Sequence, residues 1–236
     1  MEFIKPENLT DTKIIESPTG RHILTIGTYK TGEKSWSYTY CTITRKQTNE
    51  VVTSIMRNYS FEHSFFIKNN CEWLQTGSTY MSQVFVNMDT GDVYDNKEEL
   101  KQTDEYKNGR SFCWVSCTIS PTGNTLAVYG CYWGWTYEYK FFDVTDISVG
   151  WLELKLSDPI YDNSLMCYET KWDEVEEIFT VTETCQYIEF NGKLMNLDDE
   201  DIKTVPHDFF DDDANWIDKV ERVLKYKRVG DAMTNI

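Results

Sequence analysis

Histidine, proline and positive charge are all scarce in this sequence. Its three histidines, His22, His63 and His207, are widely separated along 236 residues, and no Cys-x-x-Cys pair accompanies them. Cys113 and Cys117 do not repair that lack, because residues four apart on a strand sit about 13 Å from each other, too far to share one ion. No metal site is expected. Lys and Arg number 23 against 39 Asp and Glu, a formal charge of −16, so the chain has no basic footprint for nucleic acid or an anionic membrane. No apolar run reaches the roughly 18 residues of a spanning helix. Met1-Glu2-Phe3-Ile4-Lys5-Pro6 lacks the basic start and apolar core of a secretory signal. The expectation is a cytoplasmic protein whose seven cysteines (Cys41, Cys71, Cys113, Cys117, Cys131, Cys167, Cys185) stay reduced. No Gly-x-Ser-x-Gly elbow and no phosphate-binding loop occurs, which removes the common serine hydrolase and nucleotide hydrolase chemistries. No cofactor is expected either.

What the chain does hold is aromatic side chains, 15% of its residues, within a hydrophobic fraction of 40%. That is the composition of a folded domain rather than a disordered one. It also carries an internal repeat. Ser17-Pro18-Thr19-Gly20, leading into Ile23-Leu24-Thr25-Ile26-Gly27, recurs as Ser120-Pro121-Thr122-Gly123 before Leu126-Ala127-Val128-Tyr129-Gly130, an offset of 120 − 17 = 103. Trp36-Ser37-Tyr38-Thr39-Tyr40 matches Trp135-Thr136-Tyr137-Glu138-Tyr139 at an offset of 135 − 36 = 99. Proline presets one turn residue and glycine accepts a positive φ at another, so Ser-Pro-Thr-Gly reads as a β-turn. The blocks after it alternate with period 2 and read as strands.

Four such strand clusters between residues 17 and 196 take about 45 residues each, the length of a four-stranded propeller blade. The fold class predicted is all-β: a small or partial β-propeller-like domain of about four blades, with a β-sandwich or barrel of duplicated strands as the alternative. Residues 1–196 form the duplicated β-domain, with copies near 17–96 and 120–196. Residues 197–236 are an acidic, mobile segment followed by an amphipathic C-terminal α-helix. Its stripe would be Trp216, Ile217, Val220, Val223 and Leu224, with acids at one end and Lys225, Lys227 and Arg228 at the other. Asp211-x-Asp213-x-Asn215 begins like a calcium loop, but Trp216 and Arg222 stand where its glycine and glutamate belong.

The pattern of turn, apolar strand, turn and alternating strand resembles the blades of WD-repeat and related propellers, without their Gly-His and Trp-Asp signature. Gly130-Cys131-Tyr132-Trp133 with Tyr137-Glu138, together with Arg57-Asn58-Tyr59 and His63, and Ser111-Phe112-Cys113-Trp114, is similar to a family of uncharacterised proteins. Members occur in bacteria, some eukaryotes and large DNA viruses. Trp135-Thr136 replaces a Cys-Pro pair of that family. The resemblance implies the fold and no activity. The Asn, Lys and Asp usage and the missing targeting signal suit a large-virus or protist source, with host cytoplasm as the compartment of a viral chain.

Two residue sets remain. Arg57, His63 and Glu138 would suit a hydrolase if a carboxylate oriented the imidazole at one mouth of the domain. Tyr132, Trp133, Trp135 and Tyr137 would suit an aromatic binding platform. A non-catalytic binding or scaffold module for a protein or small-molecule ligand, monomeric or homodimeric, is the preferred reading. The alternatives are that hydrolase and a viral structural or assembly component.

Overall fold

In the computed structural model the described residues are 4–77, 83–95, 112–132, 136–149, 151–157, 160, 166–196, 199–211 and 215–236. Among them the regular structure is β-strand apart from three short 3₁₀ turns, Pro6–Asn8, Glu200–Thr204 and His207–Asp211. No helix among them is long and apolar enough to cross a membrane. The chain divides into two compact units, Met1–Lys155 and Leu156–Ile236.

The first unit contains three antiparallel meanders, each strand hydrogen-bonded to the next in sequence. β1 (Leu9–Glu16), β2 (His22–Lys30), β3 (Ser37–Arg45) and β4 (Val51–Asn58) make the first sheet. β5 (His63–Lys68), β6 (Cys71–Gly77), β7 (Gln83–Asn87) and β8 (Val93–Asp95) make the second. β9 (Phe112–Ile119), β10 (Thr125–Tyr132), β11 (Tyr137–Asp143) and β12 (Leu152–Leu156) follow in the same order. In the second unit β13 (Met166–Trp172), β14 (Ile178–Phe190), β16 (Trp216–Val229) and β17 (Ala232–Asn235) pair in turn, with β15 (Lys193–Met195) also against β14. The antiparallel meanders are of the propeller-blade type, so the all-β, propeller-like class holds.

The repeated turn explains its own repetition. Gly20 and Gly123 take φ of +71° and +72°, where a side chain would be strained. Each N–H bonds back to the carbonyl of its serine, Ser17 or Ser120, at 2.8 Å. Each serine hydroxyl then accepts the N–H of the first residues of the next strand, from His22 or from Thr125, at 3.1 Å. The two copies therefore close the first hairpin of the first and third sheets by one hydrogen-bond scheme.

Alternation along the strands sends apolar side chains into two gaps. Leu24, Ile26, Cys41, Ile43 and Ile55 meet Leu74, Val84, Val86 and Met88 between the first and second sheets. Phe66 and Phe85 meet Trp114, Leu126, Val128, Phe142 and Trp151 between the second and third. In the second unit Ile188, Met195 and Val205 gather Phe190, Ile202, Phe209, Phe210 and Trp216 around them. The segment expected to be acidic and mobile is thus held at Val205 by apolar residues placed between its acids.

The expected C-terminal helix is absent. Residues 216–229 form the long strand β16, paired with β14 from Ile178↔Lys227 to Ile188↔Trp216. A bulge misled the helical reading: Glu183 faces Arg222 and Thr184 faces Val220, leaving Glu221 as an extra residue. The extra residue shifts the phase of alternation, so apolar positions on two halves of a strand fall at 216, 217, 220, 223 and 224, a helix-like spacing. Leu224 is buried, whereas Val220 and Val223 are 54% and 52% exposed, which a single helical stripe would not produce.

Candidate functional site

A polar hollow of about 350 Å³ opens between the second and third sheets. His63 and Ser64 come to it from β5, Gln75 and Gly77 from β6, Gln83 from β7, and Val115, Ser116 and Cys117 from β9. Ser60 and Glu62, in the connection before β5, complete its wall. Gln75 Nε2 donates to Gln83 Oε1 at 2.6 Å, so this amide pair is fixed beneath the opening although both residues are buried. A Cβ on Gly77 would lie 2.2 Å from the Gln83 amide, so a side chain there would displace that amide from its bond with Gln75.

His63 is the sequence-predicted residue that borders this hollow, with its ring beside Phe61 and Phe65 on the side of the second sheet that packs against the first. Its Nδ1 lies 3.1 Å from the Phe61 carbonyl, which only accepts, so Nδ1 carries the hydrogen of that bond. Phe65 meets the ring edge-on at 5.5 Å. The oriented imidazole is therefore held by a main-chain carbonyl and aromatic packing. The Cys117 thiol is pushed well above the ordinary thiol range by desolvation, the opposite of an activated nucleophile.

Arg57 and Glu138 belong to other places. Arg57 is buried on β4, where Nη1 donates to the Met56 carbonyl at 2.7 Å and burial lowers its pKa to about 10 although the negative charge of Asp95 works to raise it. Its Nε and Nη2 have no hydrogen-bond partner among the described residues. The register His63↔Thr76, Thr76↔Val84, Val84↔Asp95 sets His63 three strands from Asp95, roughly 14 Å at the spacing of neighbouring strands. Glu138 is opposite Gly130, which is opposite Trp114, so it shares the face of the third sheet that turns to the second. Arg57 instead shares the face of Cys41 and Ile55, which turns to the other side of the second sheet.

The aromatic set divides in a similar way. Trp133 and Trp135 lie outside the described residues. Tyr132 meets Phe112 edge-to-face at 5.2 Å, with Lys140 Nζ 5.1 Å above its ring. Burial works to lower the Lys140 pKa, but Glu153 at 2.7 Å outweighs it and holds the ammonium above its ordinary value. Tyr137 stacks on Tyr129 at 5.2 Å on the opposite face. At the place in the first sheet corresponding to Trp135, Trp36 is 61% exposed and rests on Tyr59 at 5.0 Å.

Sequence reasoning missed a buried network that ties the first sheet to the second. The Glu72 carboxylate, on β6, accepts from Ser17 Oγ at 2.9 Å, from the Thr19 N–H at 3.1 Å and from His22 Nδ1 at 2.8 Å. Asp89 Oδ2 accepts the Glu72 N–H at 2.7 Å while Oδ1 pairs with Arg21 at 2.9 Å. Burial would raise the Glu72 pKa, yet the bonds from His22, Thr19 and Ser17 prevail and hold it below the ordinary value. Serine, histidine and glutamate meet here without catalytic geometry, because Ser17 donates to the carboxylate and not to the imidazole. The only local hint was the serine of the repeated turn. A basic groove beside the network, lined by Arg21, Arg45 and Lys46, is neutralised by Asp89, Glu50 and Glu16.

Compared with known proteins, the chain is 38% identical over 215 residues to "Uncharacterized protein R762" of Acanthamoeba polyphaga mimivirus. The alignment takes in 89% of this chain and 82% of the viral one. The chain belongs to that mimivirus protein's family. The relationship agrees with the large-virus membership that the sequence resemblance implied, and the relative's name assigns no activity. No family model matches the chain. Among solved structures, the β-propeller domain of Cps50 (Swd1) from Myceliophteria thermophila is similar at 12% identity and a TM-score of 0.42, over 73% of this chain and 47% of that one. The β-propeller domain of the Trilobed protease from Pyrococcus furiosus is similar at 10% identity and a TM-score of 0.42, over 97% and 70%. In this member of the mimivirus family the blade architecture rests on its own strand order.

Proposed function

We propose that the protein is a non-catalytic binding module that takes a polar ligand, a small molecule or the side chain of a protein partner, in the hollow between β5 and β9. The observation that supports this reading is the composition of that hollow: fixed hydrogen-bonding side chains around a space of ligand size, with a histidine held by the main chain and a protonated thiol. The hydrolase alternative needs Arg57, His63 and Glu138 at one point, whereas the register puts Glu138 on the far side of the second sheet from Arg57 and from His63, which shares the face of Phe65, Leu74 and Val86. The chain is placed in the cytoplasm, of the host for a viral member, on composition alone.

Filling the hollow tests the reading. Ser116→Trp, at an exposed position on β9, is expected to leave the melting temperature within a few degrees of wild type. It should abolish retention of whatever ligand co-purifies with the wild-type protein, as read by native mass spectrometry. Equal retention by both proteins would move the site elsewhere. Turnover of ester, phosphate or peptide substrates that Ser116→Trp abolishes would replace the reading with the enzyme. A large homo-oligomer in light scattering would favour the assembly component.

A further inference from the structure

We propose that Cys113 and Cys131 are a reversible disulfide site, closed by exchange with a small-molecule disulfide. The two residues are direct register partners on the neighbouring antiparallel strands β9 and β10, so their side chains leave the same face of the third sheet. Directly opposed residues in such a ladder have Cα atoms roughly 4.5–5.5 Å apart, inside the 4.4–6.8 Å that a disulfide spans. Both thiols are free in this structure, both are buried at 4% and 8% exposure, and the two side chains already hydrogen-bond to each other. The backbone is tight at this point: a Cβ on Gly130, next to Cys131, would fall 2.2 Å from the Cys113 carbonyl oxygen. The strands are therefore held at bonding distance before any oxidation. The other cysteines with described side chains have no such counterpart, since Cys41 faces Ile26 and Ile55, Cys71 faces Lys68, Cys117 faces Val128 and Cys185 faces Met166 and Lys219.

The chemistry balances with a glutathione-type disulfide as the oxidant. The thiolate of one cysteine attacks a sulfur of that disulfide, whose S–S bond breaks to release one thiol carrying the proton that the cysteine gave up. The second cysteine then attacks the mixed disulfide, the Cys113–Cys131 bond forms, and a second small thiol leaves with the second proton. Two protein thiols are oxidised and one small disulfide is reduced to two thiols. Burial raises the Cys113 pKa, and the neighbouring Cys131 adds to it, so the thiolate fraction is small and closure is slow. Such a site follows the standing redox poise of its surroundings rather than a brief pulse of oxidant. The bond would fix β9 two residues before Val115, whose strand supplies one wall of the hollow, but it stands whether or not that hollow binds a ligand.

The test equilibrates the full-length protein in oxidised glutathione, then denatures, alkylates and maps it by mass spectrometry. The expected result is two alkylatable thiols lost, a Cys113–Cys131 cross-linked peptide, full reversal by dithiothreitol and a higher melting temperature for the oxidised form. Cys131→Ser should lose the cross-link and trap glutathione on Cys113, whereas Cys117→Ser should keep the cross-link. The wild-type map decides the matter even if a variant fails to fold. Retention of all thiols, or a disulfide that excludes either residue, overturns the proposal.

Discussion

Glu72 shows how much one buried carboxylate can govern. Three donors, Ser17, Thr19 and His22, converge on it from the first sheet, and its own N–H is held by Asp89. Truncating one member of a buried charged set strands the others, at a cost of about 3–5 kcal/mol. Glu72→Ala should lower the unfolding free energy by that order in urea titrations, and a loss under about 1 kcal/mol would mean the network is idle. The sign of its pH dependence follows from the lowered pKa. The stabilisation is complete above the ordinary value of 4.5 and disappears as pH falls through the lower folded-state value. Wild-type melting temperature should therefore drop more steeply below pH 4.5 than that of Glu72→Gln, whose amide does not titrate. None of this was legible in sequence, because His22 and Glu72 are separated by 50 residues and meet only once two sheets face each other.

Strands and turns were read well where period and chemistry agreed, and badly where a bulge intervened. Ser-Pro-Thr-Gly states its turn in four residues, and alternation around Tyr137 and Tyr139 states its strand. In β16 the inserted Glu221 breaks the alternation, and bulges leave no reliable mark in composition. A second bulge, between Tyr129 and Gly130 where β9 meets β10, makes a contrast of two glycines. Gly130→Ala would drive a Cβ to 2.2 Å from a main-chain oxygen, whereas Gly32→Ala meets nothing within 4 Å. Thermal melts should show Gly130→Ala destabilised by about 1–3 kcal/mol and Gly32→Ala within about 0.5 kcal/mol of wild type. Equal melts would remove the bulge from the stability of the third sheet.

At the level of the molecule, reading residues 216–236 as strand rather than helix changes what a truncation should do. Without β16 and β17, β14 keeps only β13 and β15, and Leu224, Tyr226 and Met233 leave the second unit's interior. A chain ending at residue 215 should be cut rapidly by protease within 156–215 while the first unit stays resistant. Uniform resistance would show that the last two strands are dispensable. The strand clusters of the first unit were visible in the sequence because each of its sheets is written in consecutive residues, whereas the last cluster was legible only as far as residue 196 and its strands β16 and β17 read as a helix. The hollow was not, since its walls are separated by the 52 residues from Ser64 to Ser116 (116 − 64 = 52).

That same consecutive writing bears on how the protein comes into being at the ribosome. The first sheet has every one of its strands once Asn58 has emerged, and the second once Asp95 has, so each can form while the remainder is still being translated. The second unit is different. β14 must wait for β16, past β15 and two 3₁₀ turns. Until Trp216–Val229 follows, one edge of β14 is unpaired, and that open edge is the natural point at which a nascent copy is exposed to chaperones, proteases or a second chain.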